Sequence, residues 1–356
     1  MSQCRTWLCQ AINEIERDFY RSADTHLFKI EIPEFENIDF YLKDESTHPT
    51  GSLKHRLARS LFLYGLCNGK IKSDTVIIEA SSGSTAISEA YFARLLGLKF
   101  IAVMPRGTSK EKIAQIEFYG GQCHLVDDHR QVYETAEHMA KNAHGYYMDQ
   151  FTYAEQATDW RGNNNIADSI FDQMKRERFS QPTWIVVGAG TGGTSATIGR
   201  YIRYQCKNTK LCIVDPEYSV FYSYFHSKDA SETSDQASLI EGIGRPRVEP
   251  SFVPSVIDEV LQIPNAASIA AIYWLEKKIG KRCGGSTGTN MIGAFSLASQ
   301  MIHSGTSGSI VSMICDGGER YSHTYYNSDW IRKQGLDVKK YEKKIENFMK
   351  RKVFEL

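Results

Sequence analysis

Residues Pro49-Thr50-Gly51-Ser52-Leu53-Lys54-His55-Arg56 decide how the rest of this chain is read. A turn of small residues runs directly into an apolar helical pattern in which Leu53, Leu57, Leu61 and Tyr64 share one face. Ser52 has the side chain of an N-cap, which places Lys54 in the first turn of the predicted helix. The helix dipole disfavours a cation at that end, where a solvated helix would carry an acid. A lysine held there and partly desolvated loses basicity, which suits an amine that must act as nucleophile and base.

Three other segments join it. Glu79-Ala80-Ser81-Ser82-Gly83-Ser84-Thr85-Ala86 lies between the strand-like run Val76-Ile77-Ile78 and a helical pattern carrying Ile87, Ala90, Tyr91 and Leu95. Small hydroxyl residues at a strand-to-helix turn leave backbone N–H groups free to hold an anion such as a carboxylate. Gly188-Ala189-Gly190-Thr191-Gly192-Gly193-Thr194 follows the run Trp184–Val187 and precedes a helix predicted near Ser195–Tyr204. It reads as a backbone nest for a phosphate, with the Thr191 and Thr194 hydroxyls in reach. Gly284-Gly285-Ser286-Thr287-Gly288 opens a further helical run.

Strand-like runs at Val76–Ala80, Phe100–Met104 and Gln122–Val126 alternate with helical patterns at Ile87–Leu96 and Ser109–Tyr119. A second series runs through Trp184–Val187, Leu211–Val214 and Ile310–Cys315. Such alternation predicts an α/β fold of parallel sheets covered by helices. Two series predict two lobes, with a ligand outside the carboxyl ends of the strands.

In their order along the chain, these segments resemble those of fold-type II pyridoxal-phosphate enzymes, whose two-lobed fold is tryptophan synthase β-like. The similarity covers roughly residues 40–325 and points to the cysteine synthase, O-acetylserine sulfhydrylase and cystathionine β-synthase branch. Glu241-Gly242-Ile243-Gly244 and Asp316-Gly317-Gly318-Glu319-Arg320-Tyr321 also look like that branch, and Lys43–Arg56 is most similar to bacterial L-cysteine desulfhydrases of the group.

The resemblance implies pyridoxal 5'-phosphate as cofactor and assigns roles. Lys54 would form the internal Schiff base and, once displaced by substrate, remove the Cα proton. Gly190, Thr191, Gly192, Gly193 and Thr194 would hold the phosphate, and Ser286 would hydrogen-bond the pyridine nitrogen. A hydroxyl does not keep that nitrogen protonated as an aspartate does, which favours loss of a β-substituent through an aminoacrylate. Ser81, Ser82, Gly83, Thr85 and Gln150 would take the substrate carboxylate, with Glu241 and Gly242 on the substrate side. Two positions depart from the synthase pattern. Ser84 stands where asparagine usually contacts the cofactor's ring hydroxyl, and Glu241 stands where glutamine is usual. A carboxylate at Glu241 could repel anionic sulfide or act as an acid/base.

The implied lobes are residues 46–155 as the smaller, and 1–45 with 156–356, terminal helical extensions included, as the larger. The implied reaction is β-elimination on L-cysteine, giving pyruvate, ammonia and hydrogen sulfide. Its alternative is cysteine synthesis from O-acetylserine by β-replacement. A small amino-acid substrate and a homodimer are expected.

Composition narrows the partners. Forty-two acidic and 42 basic side chains among 356 residues leave no net charge to draw nucleic acid or anionic lipid. No apolar run approaches the roughly 18–20 residues of a membrane span. The N-terminus lacks a signal-peptide core. Eight cysteines without Cys-x-x-Cys spacing read as reduced thiols in a cytoplasmic protein. Cys123, His124 and His129 cluster without a fourth ligand, so no metal is expected. Residues 1–24 predict an amphipathic helix with Leu8, Ile12 and Ile15 on one side. The tail Asp337–Lys352 repeats Tyr341, Ile345 and Phe348 at helical spacing, as a helix packed on its own lobe or on a dimer mate.

Three other function classes compete. Gly188-x-Gly190-x-x-Gly193 with Asp215 formally matches a dinucleotide fingerprint, but lies mid-chain and leaves Lys54 unexplained. Gly284-x-Ser286-x-Gly288 with Asp316 and His323 mimics a nucleophile elbow, yet Lys281-Arg282-Cys283 precedes it instead of an apolar strand. A cofactor-binding scaffold without activity is the third, and the presence of Lys54 argues against it.

Overall fold

The computed structural model of the chain describes residues 3–162 and 165–355. Its first elements are α1 (Gln3–Tyr20), β1 (Leu27–Ile30), β2 (Ile38–Asp44), α2 (Lys54–Cys67), β3 (Val76–Ala80), α3 (Ser84–Leu95) and β4 (Phe100–Pro105). Next come α4 (Lys110–Phe118), β5 (Gln122–Val126), α5 (Val132–Asn142), β6 (Gly145–Tyr147), α6 (Gln150–Ala157), α7 (Ile166–Met174), β7 (Trp184–Gly188) and α8 (Gly193–Tyr204). The remainder is β8 (Lys210–Pro216), α9 (Phe221–Ser227), β9 (Glu259–Ile263), α10 (Asn265–Ile279), α11 (Gly285–His303), β10 (Gly308–Ile314), α12 (Ser328–Lys333) and α13 (Val338–Arg351). The class is α/β, with parallel sheets covered by helices. None of the described helices is long and apolar enough to cross a membrane.

The chain divides into two compact units, Met1–Asp24 with His48–Thr158, and Thr25–Thr47 with Asp159–Leu356. In the smaller unit the described strands form one sheet in the order β5-β4-β3-β6, all neighbours parallel. Ile77 pairs with Phe100 and Ala80 with Val103, so the strands point their carboxyl ends the same way. Parallel strands need covering on both faces. Leu57, Leu61, Ile77, Ala86, Phe92 and Phe100 pack one face, while Ile78, Val103, Val132 and Ala136 pack the other.

Helix α1 belongs to this smaller unit, which corrects the expectation that residues 1–24 extend the larger lobe. Ala11 and Ile15 are buried in the same cluster as Leu57 and Leu61, with Leu8 and Ile12 against its edge. Arg59 adds an ion pair to Glu16 at 2.6 Å. The amphipathic face seen in the sequence is real, but spacing alone did not say which unit it covers.

In the larger unit the described strands run in the order β1-β2-β10-β7-β8-β9. Only the β1–β2 pair is antiparallel among them. Helices α10 and α11 are apolar on nearly all sides because they fill the core with Ile269, Ile272, Leu275, Ile292, Phe295 and Leu297. The α13 helix packs on this unit through Val338, Ile345 and Phe348, with Tyr341 half-buried beside them.

Candidate active site

Each unit carries part of the predicted constellation, and the Ser81–Thr85 turn after β3 and the Gly188–Thr194 loop after β7 sit at the carboxyl ends of parallel strands. In the smaller unit, α2 begins at Lys54 itself, so the lysine is its first residue and no acid shares its first turn. Lys54 is half-buried. Ser52 is not the N-cap that the sequence suggested, because Leu53 takes that place with helical angles (φ −58°, ψ −18°). One residue further out, the Ser52 Oγ still accepts the Lys54 backbone N–H at 3.3 Å.

The segment before the lysine is fixed to α3. Ser88 Oγ donates to Ser84 O at 2.8 Å, and Thr50 Oγ1 lies 2.9 Å from Ser88 Oγ. His55 stacks on His48 and packs against Tyr91 and Phe92. Tyr119 donates to Pro49 O at 2.9 Å.

The Ser81–Thr85 turn follows β3 as expected. Ser81, Ser82, Gly83 and Ser84 are half-buried, and Gly83 caps α3 with no side chain closing the helix N-terminus. A side chain at Gly83 would meet nothing within 4 Å, so the turn opens onto free space. Thr85 is buried and donates its hydroxyl to Gln150 Oε1 at 2.7 Å, across 65 residues of sequence. Gln150 starts α6 behind Asp149, whose left-handed backbone (φ 46°) turns the chain sharply into the helix. The fold therefore brings Thr85 and Gln150 together.

In the larger unit, β7 delivers the chain into the Gly188–Thr194 loop and α8. Gly192 caps α8 in the left-handed region (φ 89°) and, being glycine, offers the helix N-terminus no side-chain acceptor. A Cβ at Gly192 would sit 2.4 Å from Ser251 O, and one at Gly190 would sit 2.4 Å from Gly242 O. Glycine is required at both positions, once for backbone angle and twice for space. Thr191 Oγ1 accepts the Gly193 N–H at 3.3 Å, and Thr194 lies in the first turn of α8. Several N–H groups and a dipole thus converge with no acid among them, a setting for phosphate.

Gly242 stands beside Gly190 because Gly244 N–H donates to Ala189 O at 2.8 Å. Tyr325, absent from the sequence reading, holds the neighbouring Glu241. Its hydroxyl accepts the Glu241 N–H at 2.7 Å and donates to Leu239 O at 2.9 Å. Burial, and then the Glu241 charge, push the Tyr325 phenol well above its usual range. Its only sequence signal was a run of tyrosines after Asp316.

Ser286 is buried as the second residue of α11, where Gly284 is the cap. A plain capping role for Ser286 is excluded. The Thr287 hydroxyl accepts the Cys315 N–H at 3.1 Å, which ties this helix start to the end of β10.

The rival chemistries lack their geometry. Asp215 does lie near the end of a strand parallel to β7, yet it is fully buried and accepts the Tyr222 N–H at 2.8 Å, so its carboxylate is not presented to a ligand at the surface. A nucleophile elbow needs a strand before the serine, but α10 and a single bridge at Cys283 precede Ser286. The His129 side chain lies outside the described residues. Among the described residues no group of three or more His, Cys, Asp or Glu is placed to hold a metal.

Comparison with known proteins agrees with this geometry. The chain is 57% identical over 340 residues to L-cysteine desulfhydrase Cds1 of Mycobacterium tuberculosis, covering 94% of this chain and 92% of that protein. It is 28% identical over 334 residues to a cysteine synthase of Dictyostelium discoideum, covering 89% and 85%. The crystal structure of a hydrogen sulfide-producing enzyme from Fusobacterium nucleatum superposes with a TM-score of 0.76 at 25% identity, covering 92% of this chain and 96% of that one. The model of the pyridoxal-phosphate dependent enzyme family matches residues 22–316, and the chain belongs to that family.

Proposed function

We propose that this protein is a carbon–sulfur lyase that converts L-cysteine and water to pyruvate, ammonia and hydrogen sulfide. The observation that carries the reaction is the 57% identity, along nearly the whole of both chains, to a mycobacterial L-cysteine desulfhydrase. The likeness in fold to a hydrogen sulfide-producing enzyme supports it.

The residues present suit pyridoxal 5'-phosphate. Gly190 and Gly192 lie so close to the backbone of Gly242 and Ser251 that neither admits a Cβ, and the α8 cap, Gly192, brings no side chain to the helix N-terminus, which leaves backbone N–H groups for an anion. Gly190, Thr191, Gly192, Gly193 and Thr194 would hold the phosphate, Ser286 the ring nitrogen, Ser84 the ring hydroxyl side, and Lys54 the carbonyl carbon. When bound, the cofactor supplies an electron sink for the substrate's Cα.

The chain's own groups do the rest. Ser81, Ser82, Gly83, Thr85 and Gln150 fix the substrate carboxylate, which aligns the Cα–H bond with respect to Lys54. Lys54 Nζ takes the Cα proton as the sulfur leaves from Cβ. Glu241 places a carboxylate on the substrate side, where it disfavours the return of anionic sulfide and so biases the outcome to elimination. Water then completes the hydrolysis to pyruvate and ammonia.

We also infer a homodimer working in the cytoplasm. The resemblance to the cysteine synthase branch supports the dimer. The compartment is supported by the free thiols of Cys9, Cys67, Cys123, Cys206, Cys212 and Cys283.

The test is a choice of products. Given O-acetylserine and sulfide together, a desulfhydrase releases mainly pyruvate, whereas net formation of cysteine would move the assignment to a synthase.

A further inference from the structure

Two carboxyl groups in the interior of the smaller unit have no part in the mechanism so far. Glu79 and Glu89 are each 0% exposed. Glu79, one residue before the end of β3, spends both oxygens on backbone N–H groups at the base of the Ser81–Thr85 turn and at the start of α6. Its Oε1 accepts the Ala80 N–H at 2.7 Å, and its Oε2 accepts the Gln150 N–H at 3.1 Å. Gln150 passes the connection on by accepting the Thr85 hydroxyl at 2.7 Å. Glu89 follows Thr85 by four residues on α3, hence on the same helix face.

Glu89 is turned to Glu79, and among the described residues no N–H or O–H reaches either of its oxygens. Two carboxyl groups in contact and out of water cannot both ionise. A proton held between them is the donor that satisfies both. The surroundings favour keeping it, since the Asp149 charge acts on Glu79 through space, Tyr146 and Tyr147 are the other titratable groups coupled to the pair, and no cation is among the groups that act on it.

We propose that Glu79 and Glu89 are a proton-sharing positioning pair that fixes Gln150 and the Ser81–Thr85 turn for the substrate's α-carboxylate. The proposal rests on the reading of that turn as the carboxylate site. Neither residue touches substrate. Glu79 acts through Gln150 and Ala80, and Glu89 acts by keeping Glu79 in one charge state and one orientation. Burial raises both groups, Glu79 to about 8. Both are protonated more readily in the folded chain than in the unfolded one. Stability therefore falls as pH rises from the ordinary carboxylate range to about 8, where the shared proton leaves and two facing carboxylates push the turn apart.

The experiment measures kcat and KM for L-cysteine with the holoenzyme at pH of about 7 and about 9, for wild type, Glu79→Gln, Glu89→Gln and Gln150→Ala. Thermal melts accompany each. An amide at 79 cannot accept both N–H groups, so E79Q raises KM about tenfold while kcat stays within about threefold. An amide at 89 still donates to Glu79 without titrating, so E89Q keeps KM within about twofold of wild type at the lower pH. At the higher pH, wild-type KM rises at least about threefold relative to E89Q, and its melting temperature falls relative to E89Q. Taking the ratio removes the titration of cysteine itself. If Q150A raises KM while E79Q only lowers the melting temperature and the E89Q ratio is flat with pH, the pair is merely structural and the proposal fails. An unchanged KM in Q150A would overturn the carboxylate reading and the pair's role with it. If E79Q does not fold, the E89Q pH ratio alone decides.

Discussion

Thr50 Oγ1 lies 2.9 Å from Ser88 Oγ, and this contact joins the segment that leads into Lys54 to the helix that follows the Ser81–Gly83 turn. Ser88 also donates to Ser84 O at 2.8 Å, and Thr50 Oγ1 lies 3.2 Å from His55 Nδ1, so the contact is one link in a buried chain from α3 to the first turn of α2. Both residues are buried, where a lost partner is not replaced by water. Ser88→Ala should lower kcat/KM on L-cysteine about three- to tenfold, with the cofactor still bound. Steady-state kinetics with the cofactor's visible absorbance as control checks this. An unaltered kcat/KM would sever the two segments functionally.

Gly190 faces a different constraint. Its Cβ would lie 2.4 Å from Gly242 O, a backbone atom that cannot swing aside. Gly190→Ala must shift the loop or the Gly242 segment, at about 1–3 kcal/mol. Cofactor titration should show weaker binding and melting should come earlier. Full cofactor affinity in the variant would remove this loop from the phosphate site.

Asp215 gives a pH dependence with a definite sign. Desolvation raises its carboxyl to about 7, against opposing hydrogen bonds from Ser219 and from the backbone of Tyr222 and Phe221. The folded chain therefore holds a proton that the unfolded chain releases near 3.8. Stability attributable to this residue falls between those two values and is level above about 7. Asp215→Asn, which keeps an acceptor for Tyr222, should gain on wild type across that interval by on the order of a few kcal/mol. Denaturant unfolding at several pH values measures it, and a pH-independent difference would contradict the assignment.

Ile15 is fully buried in the smaller unit's core although it lies near the chain's start. Ile15→Ala should cost about 2–4 kcal/mol in unfolding free energy. A change below about 0.5 kcal/mol would mean that α1 does not belong to that core.

What the sequence revealed depended on how local the physics is. Val76–Ala80 and Gln122–Val126 were read with the ends they have in the structure, the first as a buried apolar run and the second as a half-exposed edge strand whose residues alternate in burial. The strand β2 was not read at all. Its Asp39, Lys43 and Asp44 look like surface residues, yet all seven residues are buried. Lys29 pairs with Asp39 at 3.0 Å, Lys43 donates to Gln173 at 2.8 Å, and Lys281 reaches Asp44 at 2.6 Å. Partners that far away in sequence leave no periodic trace.

The site shows the same division. The glycine-rich loop and the turn after β3 were legible because backbone geometry demands glycine and small hydroxyls there. The Thr85–Gln150 bond, the Tyr325 hold on Glu241 and the Glu79–Glu89 contact were not, since each is created by the fold. Glu89 left one faint sign, an acid among Ile87, Ala90 and Tyr91 on a predicted apolar helix.

The central claim, that Lys54 drives β-elimination on L-cysteine, is tested most directly by giving the purified holoenzyme L-cysteine alone and measuring pyruvate and sulfide together. The account predicts equal amounts of the two from wild type and loss of both by a factor of at least about a thousand in Lys54→Ala. Sulfide without pyruvate, or unimpaired release by Lys54→Ala, would contradict it.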